Sequence, residues 1–207
     1  MLGCGSTADE VAMPRIALLA GLFLMMALAP ARADYDDAIK AYEHGDYAAA
    51  LRELRPLAQQ GNLDAQAKLG EMYLQGKGVK QDYTTAMRWL KQAATEGDIA
   101  AAESSLGLIY YNGAGVKRDY AEAARWFQKA AEQGYADAQI GLGTLYSYGL
   151  GVPKDLVKAY MWFQLASKGG SKDGTRLLDE VRRVMRQSDI AQAEKLVAAF
   201  QPRSPAE

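Results

Sequence analysis

The stretch Leu69-Gly70-Glu71-Met72-Tyr73, followed by Gly76-Lys77-Gly78-Val79, occurs in this chain as one of three similar copies. The other two copies read Leu106-Gly107-Leu108-Ile109-Tyr110 with Gly113-Ala114-Gly115-Val116, and Leu142-Gly143-Thr144-Leu145-Tyr146 with Gly149-Leu150-Gly151-Val152. The first two copies start 37 residues apart and the last two start 36 residues apart. This period is typical of helix-pair solenoids, which build binding surfaces more often than active sites.

Each copy continues in register with the same residue types. An aspartate, a tryptophan and a closing glycine come next, namely Asp82, Trp89 and Gly97, then Asp119, Trp126 and Gly134, then Asp155, Trp162 and Gly170. Apolar residues recur at helical spacing after each aspartate and predict an amphipathic helix. The aspartates are predicted to be helix N-caps rather than metal ligands, because carboxylates a full repeat apart do not converge on one ion. Asp119 with Glu122 also fits a reciprocal capping box.

The glycines and tryptophans are interpreted as structural. The Gly-x-Gly pairs predict a sharp turn between two helices, and they lack the preceding strand of a dinucleotide site. Gly70, Gly107 and Gly143 fall inside the first helix of each pair, where they are predicted to let the second helix approach closely. The closing glycines are predicted to end the second helix in the left-handed conformation. The tryptophans are predicted to fill the core rather than to form a ligand platform.

The pattern from Ala65 to Gly97 resembles the Sel1 (Sel-one-like) repeat, a relative of the tetratricopeptide repeat. It reads Ala-x-x-x-Leu-Gly-x-x-Tyr, Gly-x-Gly-Val, Asp, Ala-x-x-Trp, Ala-Ala and Gly. The resemblance implies an all-α fold, a right-handed superhelical solenoid of antiparallel helix pairs whose first helices line a concave groove. It also implies an adaptor that links proteins, with no cofactor and no metal.

The chain is divided on this basis into segments. They are a signal peptide at 1–33, a degenerate tetratricopeptide-like helix pair at 34–63, repeats at 64–98, 99–135 and 136–171, capping helices at 172–200 and a flexible tail at 201–207. The second repeat has one extra residue, which we expect the segment 98–103 to absorb as a longer turn or a helix bulge. The last capping helix is predicted to begin at Ser188. Val184 is assigned to the apolar stripe of the helix before it, and Arg182, Arg183 and Arg186 are interpreted as a solvated face rather than a docking patch.

Export is predicted from the N-terminal segment. Ile16 to Ala29 is an uncharged apolar run of 14 residues behind Arg15. This is shorter than a membrane-spanning helix requires, and Ala31-Arg32-Ala33 fits a signal-peptidase site. We therefore expect initiation at Met13 and a mature chain beginning at Asp34, in the periplasm or secreted. An uncleaved anchor helix is the alternative. Cys4, the single cysteine, would be removed with the leader.

Composition and motifs argue against nucleic-acid binding and against catalysis. The formal net charge of this 207-residue chain is −1, which does not favour a polyanion partner or an anionic membrane. The single histidine, His44, is predicted to lie in a surface turn. The usual motifs of a nucleophile with its base, or of a zinc hydrolase, are missing from the sequence. We therefore predict a non-enzymatic protein. A subset of related repeat proteins has been linked to β-lactam binding or hydrolysis, but those proteins resemble cysteine-rich, disulfide-linked repeats. The predicted mature chain has no cysteine.

Partner contacts are predicted at the variable positions of the three first helices, between the packing residues. These positions are Lys68, Glu71, Leu74 and Gln75, then Ser105, Leu108, Tyr111 and Asn112, then Thr144, Ser147 and Tyr148. Their side chains suit a peptide or a helix of a partner protein, because tyrosine and apolar residues anchor such interfaces. An envelope glycan stacking on Tyr111 and Tyr148 is an alternative, and a cryptic hydrolase is a third possibility.

Overall fold

The computed structural model describes residues 31–203, with side chains from Tyr35 onward. This part of the chain forms ten α-helices and no strand. The helices are α1 Ala31–Glu43, α2 Tyr47–Gln59, α3 Leu63–Gln75, α4 Tyr83–Glu96, α5 Ala100–Asn112, α6 Tyr120–Glu132, α7 Ala136–Tyr148, α8 Leu156–Lys168, α9 Lys172–Arg182 and α10 Gln187–Ala199. No helix in the described part is both long and apolar enough to span a bilayer. The predicted leader lies almost wholly outside the described residues.

Consecutive helices pack as pairs, and the pairs stack into a solenoid, which confirms the predicted fold class. The first helices of successive pairs also contact one another, α3 with α5, α5 with α7 and α7 with α9. Among the described residues no contact of that extent joins the second helices α4, α6 and α8. An array bends towards the side on which its helices are closer together. The first helices α3, α5 and α7 therefore line the inner side of the bend.

The turn inside each repeat is built the same way three times. The glycine after the first helix is left-handed, at φ of 70° for Gly76, 72° for Gly113 and 71° for Gly149. The aspartate immediately before the second helix accepts two backbone N–H bonds at 3.0 to 3.1 Å in every copy. The N-cap prediction for Asp82, Asp119 and Asp155 is confirmed.

The backbone N–H of each capping aspartate is used as well. It donates to the carbonyl oxygen of the repeated tyrosine in the first helix, from Asp82 to Tyr73 at 3.0 Å and from Asp119 to Tyr110 at 2.9 Å. The third copy repeats the bond at 2.9 Å between Asp155 and Tyr146. The reciprocal capping box predicted for Asp119 is therefore wrong, because its N–H already has a main-chain acceptor and Glu122 pairs with Arg125 instead.

Close packing within each pair explains the glycines inside the first helices. A Cβ atom at Gly70 would lie 2.6 Å from Leu90 Cγ. At Gly107 it would lie 2.5 Å from the Phe127 ring, and at Gly143 it would lie 2.7 Å from the Phe163 ring. The predicted close approach is confirmed. The tryptophans agree with the core prediction at Trp89 and Trp162, which are buried, whereas Trp126 is only half-buried and lies under the Lys129 ammonium at 5.0 Å.

The junctions between repeats are less uniform than the turns inside them. Gly134 and Gly170 are left-handed as predicted, both at φ of 89°. Gly97 is not, with φ of −121°, and the left-handed residue is Asp98 at φ of 51°. The extra residue lengthens α4 to 14 residues, whereas α6 has 13, and α5 keeps 13. The expected bulge or longer turn in 98–103 is thus wrong. Gly97 is instead required for space, since its Cβ would lie 2.5 Å from Leu63 Cδ1.

The C-terminal helices close the array in an irregular way. Helix α10 packs against α8, where Tyr160 Oη donates to Glu194 Oε1 at 2.8 Å and the Phe200 ring meets the Trp162 ring at 5.6 Å. The helix starts one residue before the predicted Ser188, whose hydroxyl donates to Asp189 rather than capping. The tail prediction fails at its described end, because the Arg203 N–H donates to Glu132 O at 2.7 Å. Residues 204–207 lie outside the described part.

Candidate functional site

The first-repeat end of the inner surface is covered by α1. Lys68 Nζ lies 2.7 Å from Glu71 Oε2 and 4.8 Å from the centre of the Tyr42 ring, so both predicted contact residues already have partners inside the chain. Gln75 Oε1 accepts from the Tyr42 hydroxyl at 3.4 Å. Lys77 Nζ donates to the same hydroxyl at 2.7 Å. Leu74 is half-buried and packs against a core cluster formed by residues of α3, α4 and α5.

The middle of the inner surface presents two exposed side chains. Leu108 is 44% exposed, which is high for an apolar residue on a helix, and Asn112, four residues later in α5, is also exposed. Tyr111 is half-buried, with its ring 5.4 Å from the Tyr120 ring in an edge-to-face contact. Ser105 is only 7% exposed. The prediction of a partner contact at Ser105 is therefore wrong, because the folded chain buries this side chain.

The third-repeat end is open and forms a cleft of about 380 Å³. All three predicted residues of this repeat, Thr144, Ser147 and Tyr148, line one wall. Tyr148 is 71% exposed at the end of α7. The floor is apolar and includes Leu156 and Phe163 of α8. The cleft thus combines an exposed aromatic ring, two hydroxyl groups and an apolar floor, and a mainly apolar lining with a few polar groups is typical of ligand-binding clefts.

The opposite wall of this cleft comes from α9, a helix predicted only to cap the end of the array. Leu177, Glu180 and Val181 line it, together with Val184 just beyond the helix end. Val184 is 71% exposed, so its assignment to a buried apolar stripe is wrong. Helix α9 ends at Arg182, two residues before Val184, so Val184 no longer follows the apolar stripe of the helix.

The Glu71 carboxylate, although paired with Lys68, affects the pKa of two tyrosines. Burial first, and then the charges of Asp64 and Glu71, raise the pKa of Tyr35 on α1 to about 12. Burial and then the Glu71 charge raise the pKa of Tyr135 at the start of α7. The charge of Glu71 therefore affects one tyrosine on α1 and another at the start of α7. Both phenols stay protonated at neutral pH and can act as hydrogen-bond donors.

Two other candidate groups are tied up in local contacts. His44 is exposed in the turn after α1, as predicted, and its Nδ1 lies 2.6 Å from Lys40 O. Arg186 forms two hydrogen bonds with the Asp189 carboxylate at 2.9 and 3.0 Å. Arg182 and Arg183 are exposed. This arrangement is that of a solvated face.

Comparison with known proteins assigns the family. The Sel1 repeat model matches residues 63–98, 100–135 and 136–171, which together make up more than half of the chain. This protein belongs to the Sel1 repeat family. The three matches coincide with the helix pairs α3/α4, α5/α6 and α7/α8, so the predicted resemblance is confirmed.

Two solved structures show the same architecture. A Sel1 repeat protein from Oxalobacter formigenes is 35% identical over 73% of this chain, with a TM-score of 0.60. A protective antigen present in uropathogenic Escherichia coli strains, which displays an SLR fold, is 30% identical over 83% of this chain, with a TM-score of 0.52. The match spans 45% of the length of each of these proteins. Sel1 repeats are helical scaffolds that generally mediate protein interactions, and the fold is generally not enzymatic.

Proposed function

We propose that this Sel1 repeat protein is an exported, non-enzymatic adaptor that holds a peptide or a helix of a partner protein at the third-repeat end of its inner surface. The observation that carries the proposal is the cleft between α7 and α9, where Tyr148 and Val184 are both 71% exposed. Exposed large apolar groups that face each other across a cleft are unusual on a surface that has no partner.

The chemistry of the cleft supports a polypeptide ligand. Ser147 offers a hydroxyl group that can bond to a backbone, and Thr144 Oγ1, which donates to Ile140 O at 2.8 Å, can still accept from a backbone N–H. The Tyr148 ring offers a flat apolar contact. The cleft walls carry Lys154 and Glu180, one charge of each sign. A partner segment with an apolar side chain at its centre and polar flanks fits this arrangement. The covered first-repeat end, with Lys68 and Glu71 paired to each other, would contribute little.

Export is part of the same proposal and rests on the apolar run from Ile16 to Ala29 with Ala31-Arg32-Ala33 just after it. Fractionation of the native cells, with N-terminal sequencing of the purified protein, tests it. A start at Asp34 in the periplasm or medium supports export. A chain that keeps its leader and stays in the cytoplasmic fraction contradicts it.

Site-directed photo-crosslinking tests the site. A photoreactive phenylalanine analogue replaces Tyr148 in the protein expressed in its own cells, and the matched control places it at Lys91, which is exposed on the outer helix α4. We expect a discrete crosslinked band at position 148 that is missing at position 91. Mass spectrometry then identifies the partner, and a synthetic peptide from the crosslinked segment should bind the purified protein.

Equal crosslinking at both positions would mean that contacts are non-specific. No protein band at position 148, together with co-sedimentation of the protein with purified cell wall, would contradict the adaptor proposal and favour a glycan ligand.

A further inference from the structure

One buried position differs between the second repeat and its neighbours. Gln66, Glu103 and Gln139 occupy the same place in the three first helices, and all three are buried. Gln66 Nε2 donates to Ala58 O at 3.0 Å, and Gln139 Nε2 donates to Ala131 O at 3.2 Å, so each ties its helix to the preceding one. An ionised glutamate cannot donate such a bond. Glu103, which is 0% exposed, must be held in another way.

The surroundings of Glu103 supply that support from three elements. Gln133, which caps α6, donates from Nε2 to Glu103 Oε2 at 2.8 Å. Lys129 Nζ on α6 lies 3.8 Å from Glu103 Oε1. Asp98, in the turn before α5, places a second negative charge near Glu103. Asp98 is the left-handed residue at the altered junction.

The C-terminal tail completes the cluster. Arg203 donates from Nη1 and Nη2 to the two carboxylate oxygens of Asp98 at 2.8 and 3.2 Å. Its backbone N–H donates to Glu132 O at 2.7 Å, at the end of α6. A two-point guanidinium–carboxylate pair fixes geometry as well as charge. Both irregular features of the second repeat, the extra residue and the buried glutamate, therefore meet the tail at one place.

We propose that Arg203, Asp98 and Glu103 form a latch that holds the C-terminal tail on the second repeat, and that ionisation of Glu103 tightens it. The charged groups that face Glu103 are Asp98 from the junction, Lys129 from α6 and Arg203 from the tail. Asp98 opposes the ionised form, and Lys129 and Arg203 favour it. Because coupling is reciprocal, a Glu103 carboxylate holds Arg203 more firmly than a neutral Glu103 does.

The latch operates near neutral pH. Burial first, and then the charge of Asp98, raise the pKa of Glu103 to about 7 against the opposing effects of Lys129 and Arg203. Above this pH both Asp98 and Glu103 attract Arg203. Below it only the Asp98 carboxylate does so. The tail is therefore held in both ranges and more firmly in the upper one.

Nuclear magnetic resonance on the full chain, purified isotope-labelled from its own cells, tests the latch through two readouts. The first is the protection factor of the Arg203 amide, corrected for intrinsic exchange, at about pH 5.5 and about pH 8; we expect it to be about threefold higher at the upper pH. The second is the pKa of Glu103, monitored through its side-chain carboxyl carbon. Arg203→Gln should raise that pKa, and Arg183→Gln, which removes the same charge from an exposed site, should leave it unchanged.

Glu103→Gln is the decisive variant because it restores the residue found in the neighbouring repeats. In this variant the Arg203 amide should have the same protection at both pH values. Equal protection at both pH values in the unaltered chain would overturn the proposal. A Glu103 pKa that does not respond to Arg203→Gln would overturn it as well, since the tail would then not be coupled to the buried carboxyl.

Discussion

The first and third repeats carry the same pattern, yet they present their inner surfaces in opposite states. Gln75 and Tyr148 stand at the same place in the register. Gln75 is exposed but accepts a hydrogen bond from Tyr42 of the flanking helix at 3.4 Å, whereas Tyr148 is 71% exposed beside a cleft. The difference lies in the helices that flank each repeat. Helix α1 lies against the first repeat, and the short α9 leaves the third repeat open.

This contrast shows that the function of a repeat position depends on its neighbours as well as on its place in the motif. Lys68 and Glu71 pair with each other within α3, and the Tyr42 ring of α1 lies 4.8 Å from the Lys68 ammonium. The available part of the groove is consequently shifted towards α7 and α9. A binding site in a solenoid is thus assigned from exposure in the assembled array.

The largest expected effect tests how tightly the turn of the third repeat packs against the second repeat. A Cβ at Gly151 would lie 2.3 Å from the backbone carbon of Tyr120, and Gly151 has φ of 68°. Gly151→Ala should lower the free energy of unfolding by about 4 kcal/mol, since main chain cannot move aside. Gly134→Ala is the matched control, because its position is left-handed but has nothing within 4 Å, and it should cost about 1 kcal/mol. Urea denaturation measures both. Similar losses would mean that the turn at Gly151 is not tightly packed.

Removing the cover should make the first repeat more like the third. Tyr42→Ala deletes the ring that lies under Lys68 at 4.8 Å and Lys77 at 4.7 Å. We expect a loss of about 3 kcal/mol in the free energy of unfolding, from lost packing and two cation–π contacts. Tyr42→Phe keeps the ring and loses the hydroxyl's hydrogen bonds to Lys77 and Gln75, so it should cost about 1 kcal/mol. Thermal or urea unfolding distinguishes them, and equal losses would show that the hydroxyl rather than the ring holds α1.

The second repeat can be made to match both of its neighbours at the buried polar position. The folded pKa of Glu103 is about 7, above the ordinary value of about 4.3, so the folded chain binds more protons between these values. Its stability therefore falls as pH rises through this window and is constant above it. Glu103→Gln should raise the free energy of unfolding by about 2 kcal/mol at about pH 8 and change it little at about pH 4.5. Urea titrations at the two pH values check this, and an equal gain at both would show that ionisation is not involved.

The smallest effect on stability is expected at Tyr148, the exposed residue of the third repeat. Tyr148→Ala should change the free energy of unfolding by less than about 0.5 kcal/mol, because the ring is mostly in solvent. It should weaken binding of the crosslinked partner peptide about tenfold. Gln75→Ala, at the same register position, should leave that affinity unchanged. Calorimetric titration of the two variants measures the difference. A similar loss at both positions would place the partner along the whole inner surface.

The sequence predicted the features that depend on short stretches of chain. The aspartate caps, the left-handed turn glycines and the close approach at Gly107 result from residues within one repeat. Such features are governed by local geometry, and three copies reinforce the same interpretation. The fold class was predicted from the same pattern.

The exposure of groove residues could not be predicted this way, because it depends on contacts between distant segments. Ser105 is buried by packing against other helices, and Gln75 is engaged by Tyr42, which lies 33 residues earlier. The left-handed Asp98 was missed because the glycine rule favoured Gly97, whose small size is needed for another reason, the contact with Leu63. The attachment of Arg203, 105 residues away from Asp98, has no local signal at all.

The repeated bond from each capping aspartate to a tyrosine carbonyl makes the three repeats uniform inside, whereas the junctions between the pairs vary. It joins the two helices of each of the three repeats at 2.9 to 3.0 Å, so these pairs are held together in the same way. The left-handed residues at the junctions between successive pairs, which are Gly61, Asp98, Gly134 and Gly170, have φ values from 51° to 91°. The extra residue of the second repeat lengthens α4 and accompanies the left-handed Asp98, while the bond from Asp82 to Tyr73 is kept. A single-residue insertion can therefore change the φ at a junction, and with it the curvature of the array and the width of the cleft, without loss of the bond that joins a pair.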